Sequence, residues 1–240
     1  WALRSLISTK GLLEKTDMIF GVEQNQEDDP LRKAALLYMR GNENEAIGNF
    51  SKAEEFYREA LSYRPDDILS RVALMRLREI DGDLSEASEL CSEIAGYITE
   101  PEIKSGYLLY AGYLNRKNSN FHKACDLIRE ALTLNPEHHS EMWFQLELCA
   151  RDQGDPRAQF ELLKEKAAWY LERESLPQAI TATIEASVLA ERELSMEEEA
   201  FEWLTSSLQN LEHPLLSARA LQLALKTEKW EWILAQPTLS

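Results

Sequence analysis

The chain is poor in the residues that staple or interrupt a fold. Its 240 residues hold three cysteines, nine glycines, eight prolines and three valines. The cysteines, Cys91, Cys125 and Cys149, are odd in number and widely spaced, which excludes a disulfide scaffold. No CxxC pair signals a zinc site or a redox couple. They read instead as small buried thiols, which favours a reducing compartment such as the cytoplasm, with a periplasm also compatible. Little glycine and proline excludes collagen-like sequence. Little valine, with no strict apolar–polar alternation, argues against strands. No apolar run approaches the ~18 residues of a membrane span. Cations are in deficit: 26 Lys and Arg against 42 Asp and Glu give a net charge of −16. That balance argues against nucleic acid and anionic membrane surfaces, which need a basic face. HExxH, phosphate-cradling glycine loops and GxSxG are missing too. The four histidines, His122, His138, His139 and His213, have no companion carboxylate or cysteine spacing that completes a metal site. No catalytic residue, metal or cofactor is nominated.

What is present is helix-forming sequence. Hydrophobic residues at 44% support a core rather than a disordered acidic tail. Leu, Ala, Glu, Lys and Arg dominate, and these are strong helix formers. The pattern predicts about a dozen helices of ~11–18 residues. The breaks are legible. Gln24–Pro30 reads as an acidic loop ending at a helix-starting proline. Ser51 with Glu54, and Asp83 with Glu86, have capping-box spacing. Asp66 and Asp67 offer a fresh N-cap after Arg64-Pro65. Asp81-Gly82-Asp83, Pro101, Asn118–Asn120, Asn135-Pro136, Gly154-Asp155-Pro156, Pro177, Leu194-Ser195 and Pro214 punctuate the rest. The acidic run Met196–Glu199 suits a helix N-terminus.

The chain repeats itself. Aligning Gly48, Gly82 and Ser119 as turn residues brings Ala53, Ala87 and Ala124 into register, then Tyr57, Cys91 and Ile128, then Ala60, Ile94 and Ala131. The steps are 34 and 37 residues, with an insertion near Ile98–Glu100. A short helix, a tight turn and a second helix make an antiparallel pair. The alanines sit where the two helices cross closely and a large side chain has no room. Tyr57, Cys91 and Ile128 fall one turn later on the same face. One pair cannot bury its own apolar face, so pairs must stack.

This pattern resembles the tetratricopeptide repeat family. The clearest unit is Ala34–Asp67, through Gly41, Gly48, Ala53, Tyr57, Ala60 and Pro65. Ser105–His138 follows it through Gly112, Phe121, Ala124, Ala131 and Pro136. Ile68–Pro101 departs from it at Arg71 and Ile94. The resemblance implies an all-α, right-handed superhelix of antiparallel helix pairs. Residues 1–33 then form an N-terminal helix and acidic loop that cap the stack or remain from an upstream repeat. Residues 34–138 form three repeats, 139–211 irregular repeats and 212–240 capping helices, with Trp230 and Trp232 covering the last core face. Starting at Trp1 without a signal-type segment, the chain reads as a piece of a longer protein.

In such solenoids the first helix of each pair lines the concave surface. Turn counting nominates Tyr38 and Asn42 with Glu45, then Arg76 with Glu79, Tyr113, Arg116 and Lys117, and Trp143 and Arg151 with Glu147. Aromatics beside arginines make good contact residues. The resemblance thus implies a non-catalytic scaffold or adaptor holding a partner protein or peptide of acidic character. Four cations, Arg76, Arg116, Lys117 and Arg151, would meet its carboxylates. One subclass of the family grips a terminal carboxylate with Lys, Asn and Arg. Here only Asn42 matches that set, while Tyr38, Ala73, Gly106 and Tyr110 stand at the other places. Two further classes fit the sequence: a regulatory module of a larger enzyme or transcription regulator, and an assembly factor for an envelope or secretion complex. The repeat register has a direct test. Ala53→Leu or Ala124→Leu should cost roughly 1–3 kcal/mol in denaturant unfolding through overpacking; unchanged stability would refute the register.

Overall fold

The computed structural model describes residues 2–236; Trp1 lies outside the described residues. Among them are thirteen α-helices: α1 Ala2–Gln26, α2 Pro30–Ala46, α3 Phe50–Tyr63, α4 Ile68–Asp81, α5 Leu84–Tyr97, α6 Pro101–Lys117, α7 Phe121–Leu134, α8 His139–Gln153, α9 Pro156–Glu172, α10 Leu176–Glu193, α11 Glu197–Leu208, α12 Pro214–Lys226 and α13 Trp230–Leu234. A single 3-10 turn, Pro136–His138, precedes α8. The helices follow one another as sequential antiparallel pairs. They form two compact units, Trp1–Met142 and Trp143–Ser240, with the division falling inside α8. No described helix is long and apolar enough to cross a membrane.

The caps show why the helices start where they do. Asp29, Asp67, Asp83 and Asp155 each accept a backbone N–H at a helix start. Asp67 takes the Ser70 N–H at 3.0 Å, and Asp83 takes that of Glu86 at 3.0 Å. Pro30, Pro101, Pro156 and Pro214 occupy first turns, where a missing N–H costs nothing. Two expectations change. Ser51 lies inside α3, whose cap is Asn49, so Ser51 and Glu54 form no capping box. α1 runs through Gln26, which shortens the acidic loop to residues 27–29.

In the first unit each helix packs on the next, from α1 to α7. Ala53, Ala87 and Ala124 are fully buried, as are Tyr57, Cys91 and Ile128. The helices of a pair approach at glycines. A Cβ on Gly112 would stand 2.6 Å from Ile128 Cγ1 and 3.2 Å from the Ala124 carbonyl oxygen. One on Gly41 would collide with the Tyr57 ring. The core is a series of small clusters, one joining Ala34, Leu37, Phe56 and Ala60 and another Ala87, Cys91, Ala111 and Leu114. Stacked pairs bury surface this way, each against its neighbours. Arg71 is buried in place of an apolar residue. Its guanidinium donates to Glu93 at 3.0 Å and to the Tyr97 hydroxyl at 3.3 Å, and lies over the Tyr97 ring.

α1 docks by its polar side. Asp17 and Gln24 are buried, while Leu12, Met18, Ile19 and Val22 are exposed. Arg40 of α2 donates to Asp17 at 2.8 Å and to Gln24 at 2.6 Å, and stacks on Phe56 at 4.1 Å. Lys52 of α3 adds a bond to Asp17 at 3.4 Å.

In the second unit, α9 to α13 pack in order, and α12 also touches α10. Ala179, Ala182, Ala186 and Ala190 make a fully buried stripe on α10, the small-residue face expected for tight packing. The acidic start of α11 is anchored from other helices. Glu197 pairs with Lys226 at 2.8 Å, and Glu199 receives the Arg157 guanidinium at 2.7 and 2.8 Å. Trp232 meets Phe201 edge-on at 5.3 Å, but Trp230 is exposed and covers no core.

Two predictions follow from backbone and charge. The turn residues Gly48, Gly82 and Ser119 have φ of 83°, 80° and 62°. Only Ser119 carries a side chain there, and the left-handed region costs such a residue roughly 1–2 kcal/mol. Ser119→Gly should therefore raise the chemical-denaturation midpoint. For Asp17, burial pushes the carboxyl up, and the hydrogen bond and charge of Arg40, with Asn44 and Lys52, outweigh it and hold the group below its ordinary value. Its stabilisation is complete above the unfolded value of about 3.9 and is lost as pH falls through the folded one. Hydrogen exchange of α1 should accelerate selectively below about pH 4, and Asp17→Asn should remove that pH dependence.

Candidate protein-binding face

Six nominated residues lie in the first unit, on the first helices of its pairs, α2, α4 and α6. The structure links them by contacts that run from helix to helix. Tyr38 on α2 meets the Tyr57 ring at a centroid distance of 5.8 Å. The Tyr57 hydroxyl, from α3, reaches back to α2 and hydrogen-bonds Asn42 Oδ1 at 2.9 Å and Glu45 Oε2 at 2.8 Å. Burial and then the Glu45 carboxylate push the Tyr57 phenol well above its usual range, so it stays protonated as a donor.

Glu45 is then gripped by α4. The Arg76 guanidinium donates through Nε at 3.0 Å and Nη2 at 2.7 Å. A two-point bond of this kind fixes direction as well as distance. One repeat later the arrangement recurs with other chemistry. Glu79 on α4 accepts the Tyr110 hydroxyl of α6 at 2.6 Å. Both bonds join residues 31 apart, and both carboxylates are 34 apart in the chain. Burial and the Glu79 carboxylate raise the Tyr110 phenol as well.

Tyr110 stacks on Tyr113 with ring centroids 5.9 Å apart and planes 11° from parallel. Arg116 and Lys117 each hold their charge 5.7 Å from the Tyr113 centroid. Cations over a phenol face are attracted by its quadrupole, so this end of the face is preorganised as aromatic surface flanked by positive charge. Tyr113 is half-buried and Lys117 exposed.

Three expectations are corrected. Arg76 is exposed, but its charge is already neutralised by Glu45, so it does not offer an open cation to a partner. Asn42 is exposed, with its Oδ1 2.9 Å from the Tyr57 hydroxyl. Trp143 is fully buried and packs edge-on against Trp169 at 5.9 Å, so its ring is core and not contact surface. The adjacent Phe144 is the exposed one. The turn count slipped by a residue there, which on a helix exchanges core for surface.

Trp143 and Arg151 belong to the second unit. Arg151 is exposed on α8, with the Asp152 carboxylate at 4.0 Å, and stands at the rim of a cleft of about 530 Å³ between α8, α9 and α10. Glu147, on the same wall, is held by Lys166 of α9. The three cysteines are free thiols, with Cys91 and Cys149 buried; burial, helped by Glu79, pushes the Cys91 thiol up to about 12. His213 caps α12, accepting the Leu215 N–H at 3.3 Å.

A tetratricopeptide repeat family model matches residues 34–67. No curated protein matches the chain. Solved structures do. A tetratricopeptide repeat protein from Parabacteroides merdae is 16% identical with a TM-score of 0.49, over 95% of this chain and 88% of that one. YrrB, a TPR protein with an unusual peptide-binding site, is 20% identical with a TM-score of 0.44, over 84% of this chain and 96% of its own. MamA is 17% identical with a TM-score of 0.45, over 82% and 95%. Residues 34–67 thus match a tetratricopeptide repeat, and antiparallel helix pairs continue on both sides of it.

Proposed function

We propose that the chain is a non-catalytic scaffold or adaptor that receives a segment of a partner protein on the α2, α4 and α6 face, around Tyr38, Asn42, Arg76, Tyr113, Arg116 and Lys117. Tetratricopeptide repeat proteins are in general protein-binding scaffolds. The observation that carries the finer reading is the contact chain from Tyr38 to Lys117. It holds aromatic and charged side chains in place before any partner arrives. Preorganised side chains lose little freedom on binding, which is where much of the cost of association lies. Since Glu45 occupies Arg76, recognition of acidic groups falls to Lys117 beside Tyr113. Aromatic and arginine residues at such a centre dominate binding energy where they occur.

The test is a selection of displayed peptides against the whole chain, followed by anisotropy titration of the best binder. Tyr113→Ala and Lys117→Glu should each weaken binding by about tenfold or more, some 1.4 kcal/mol, with circular dichroism and melting unchanged. Full affinity in both variants would remove the site from this face.

A further inference from the structure

α1 turns its apolar side outward. At roughly 100° per residue, Ile19 lies about 160° around the helix from Asp17 and about 140° from Gln24, the two residues by which α1 docks. Leu12, Lys15, Val22, Glu23 and Gln26 all fall within about 60° of Ile19. Leu12, Ile19 and Val22 are exposed, and exposed Met18 borders them. The stripe from Leu12 to Gln26 is about 21 Å long at ~1.5 Å per residue. Single apolar residues are ordinary on a surface, but a contiguous stripe of them marks an interaction face.

The two halves of the stripe differ in character. Beside the C-terminal half a cavity of about 440 Å³ opens between α1 and α2. Ala35, Leu36 and Met39 line it from α2, and Glu23, Gln26, Glu27 and Arg32 stand around it. Arg32 is shared by Glu27 at 3.9 Å and Asp29 at 3.8 Å, while Glu23 has no ion pair among the described residues. This end is apolar within and net negative at its rim. The N-terminal half carries the complement, a projecting Leu12 and the cation Lys15. Lys15 is exposed and makes no ion pair among the described residues. Its neighbours one turn away on the helix are Gly11, Leu12, Met18 and Ile19, none of them charged. The adjacent Glu14 lies about 100° away around the helix and does not share the stripe.

We infer that α1 pairs with α1 of a second copy of the chain, antiparallel, about a two-fold axis through Ile19. Positions equally far before and after Ile19 then face each other. Lys15, four residues before it, meets Glu23 of the second copy, four residues after it. Leu12, seven before, comes opposite Gln26 of the second copy and enters the cavity beside that residue. Ile19 meets its own counterpart, and Val22 and Met18 extend the apolar seam along one side. Each contact occurs twice, because a two-fold interface is self-complementary. A parallel pairing would set lysine against lysine and glutamate against glutamate, so charge selects the antiparallel order. The inference stands apart from the partner face on α2, α4 and α6, which α1 does not enter.

The test is sedimentation velocity of the intact chain over a concentration series reaching ~100 μM. The mass should rise from one chain to two. Ile19→Glu, on the axis, should weaken association by about tenfold or more. Lys15→Glu and Glu23→Lys should each do the same, about tenfold, because each turns two attractive pairs repulsive. The double variant, Lys15→Glu with Glu23→Lys, should recover the dimer. Tyr113→Ala and Lys117→Glu should leave it unchanged. A chain that stays single throughout the series, a dimer indifferent to Ile19→Glu, or no recovery in the double variant would overturn the inference. Lys15, Ile19 and Glu23 are all exposed, so folding should persist in these variants, and circular dichroism checks it.

Discussion

The architecture of the first unit depends on how closely two helices of a pair can approach. At Gly112 the α6 backbone meets Ile128 and the Ala124 carbonyl at distances that leave no room for a Cβ, and Gly41 meets the Tyr57 ring in the same manner. The alanines at the crossing are fully buried. Once small residues set that spacing, the large side chain one turn further on, Tyr57 or Ile128, has a defined slot. The second helix then cannot rotate without emptying one slot and overfilling the next, and close-packed interiors resist both.

The position of Tyr57 carries this constraint to the surface. Its ring closes the gap over Gly41, and its hydroxyl emerges between Asn42 and Glu45 on the face of α2. A core residue thereby orients a surface carboxylate, which in turn orients Arg76 of the next pair. Glu79 and Tyr110 repeat the connection one step on, with a phenol replacing a guanidinium. Polar groups that bridge successive first helices fix the geometry of this face, though they contribute little net stability where exposed. The second unit takes a different course. Its longer α9 and α10 leave a cleft lined by Leu162, Leu163 and Val188.

Much of this was legible beforehand. The turns at Gly48, Gly82 and Ser119 were recognisable by alignment, and all three adopt the left-handed backbone. The Asp67 and Asp83 caps followed from residue type and spacing. Ser51 with Glu54 had the right spacing and failed, because Asn49 starts α3 two residues earlier and spacing does not choose between adjacent caps. Trp143 failed for a related reason. A helix turns 100° per residue, so a slip of one position exchanges core for surface, and Phe144 is the side chain that faces out. α1 could not be read at all by the usual rule, since it buries Asp17 and Gln24 and exposes Leu12, Met18, Ile19 and Val22.

The sequence by itself determined that the chain is helical, where its helices break, the repeat of about 34 residues and which small residues lie at the crossings. These are properties of short segments and of periodicity, and they persist whatever the segments pack against. Only the tertiary structure decided which charges are spent and which are open. Arg76 looks like an available cation until Glu45, 31 residues away, is seen to hold it. Charge pairing acts through space at a few ångströms, between groups whose distance along the chain carries no sign of their contact.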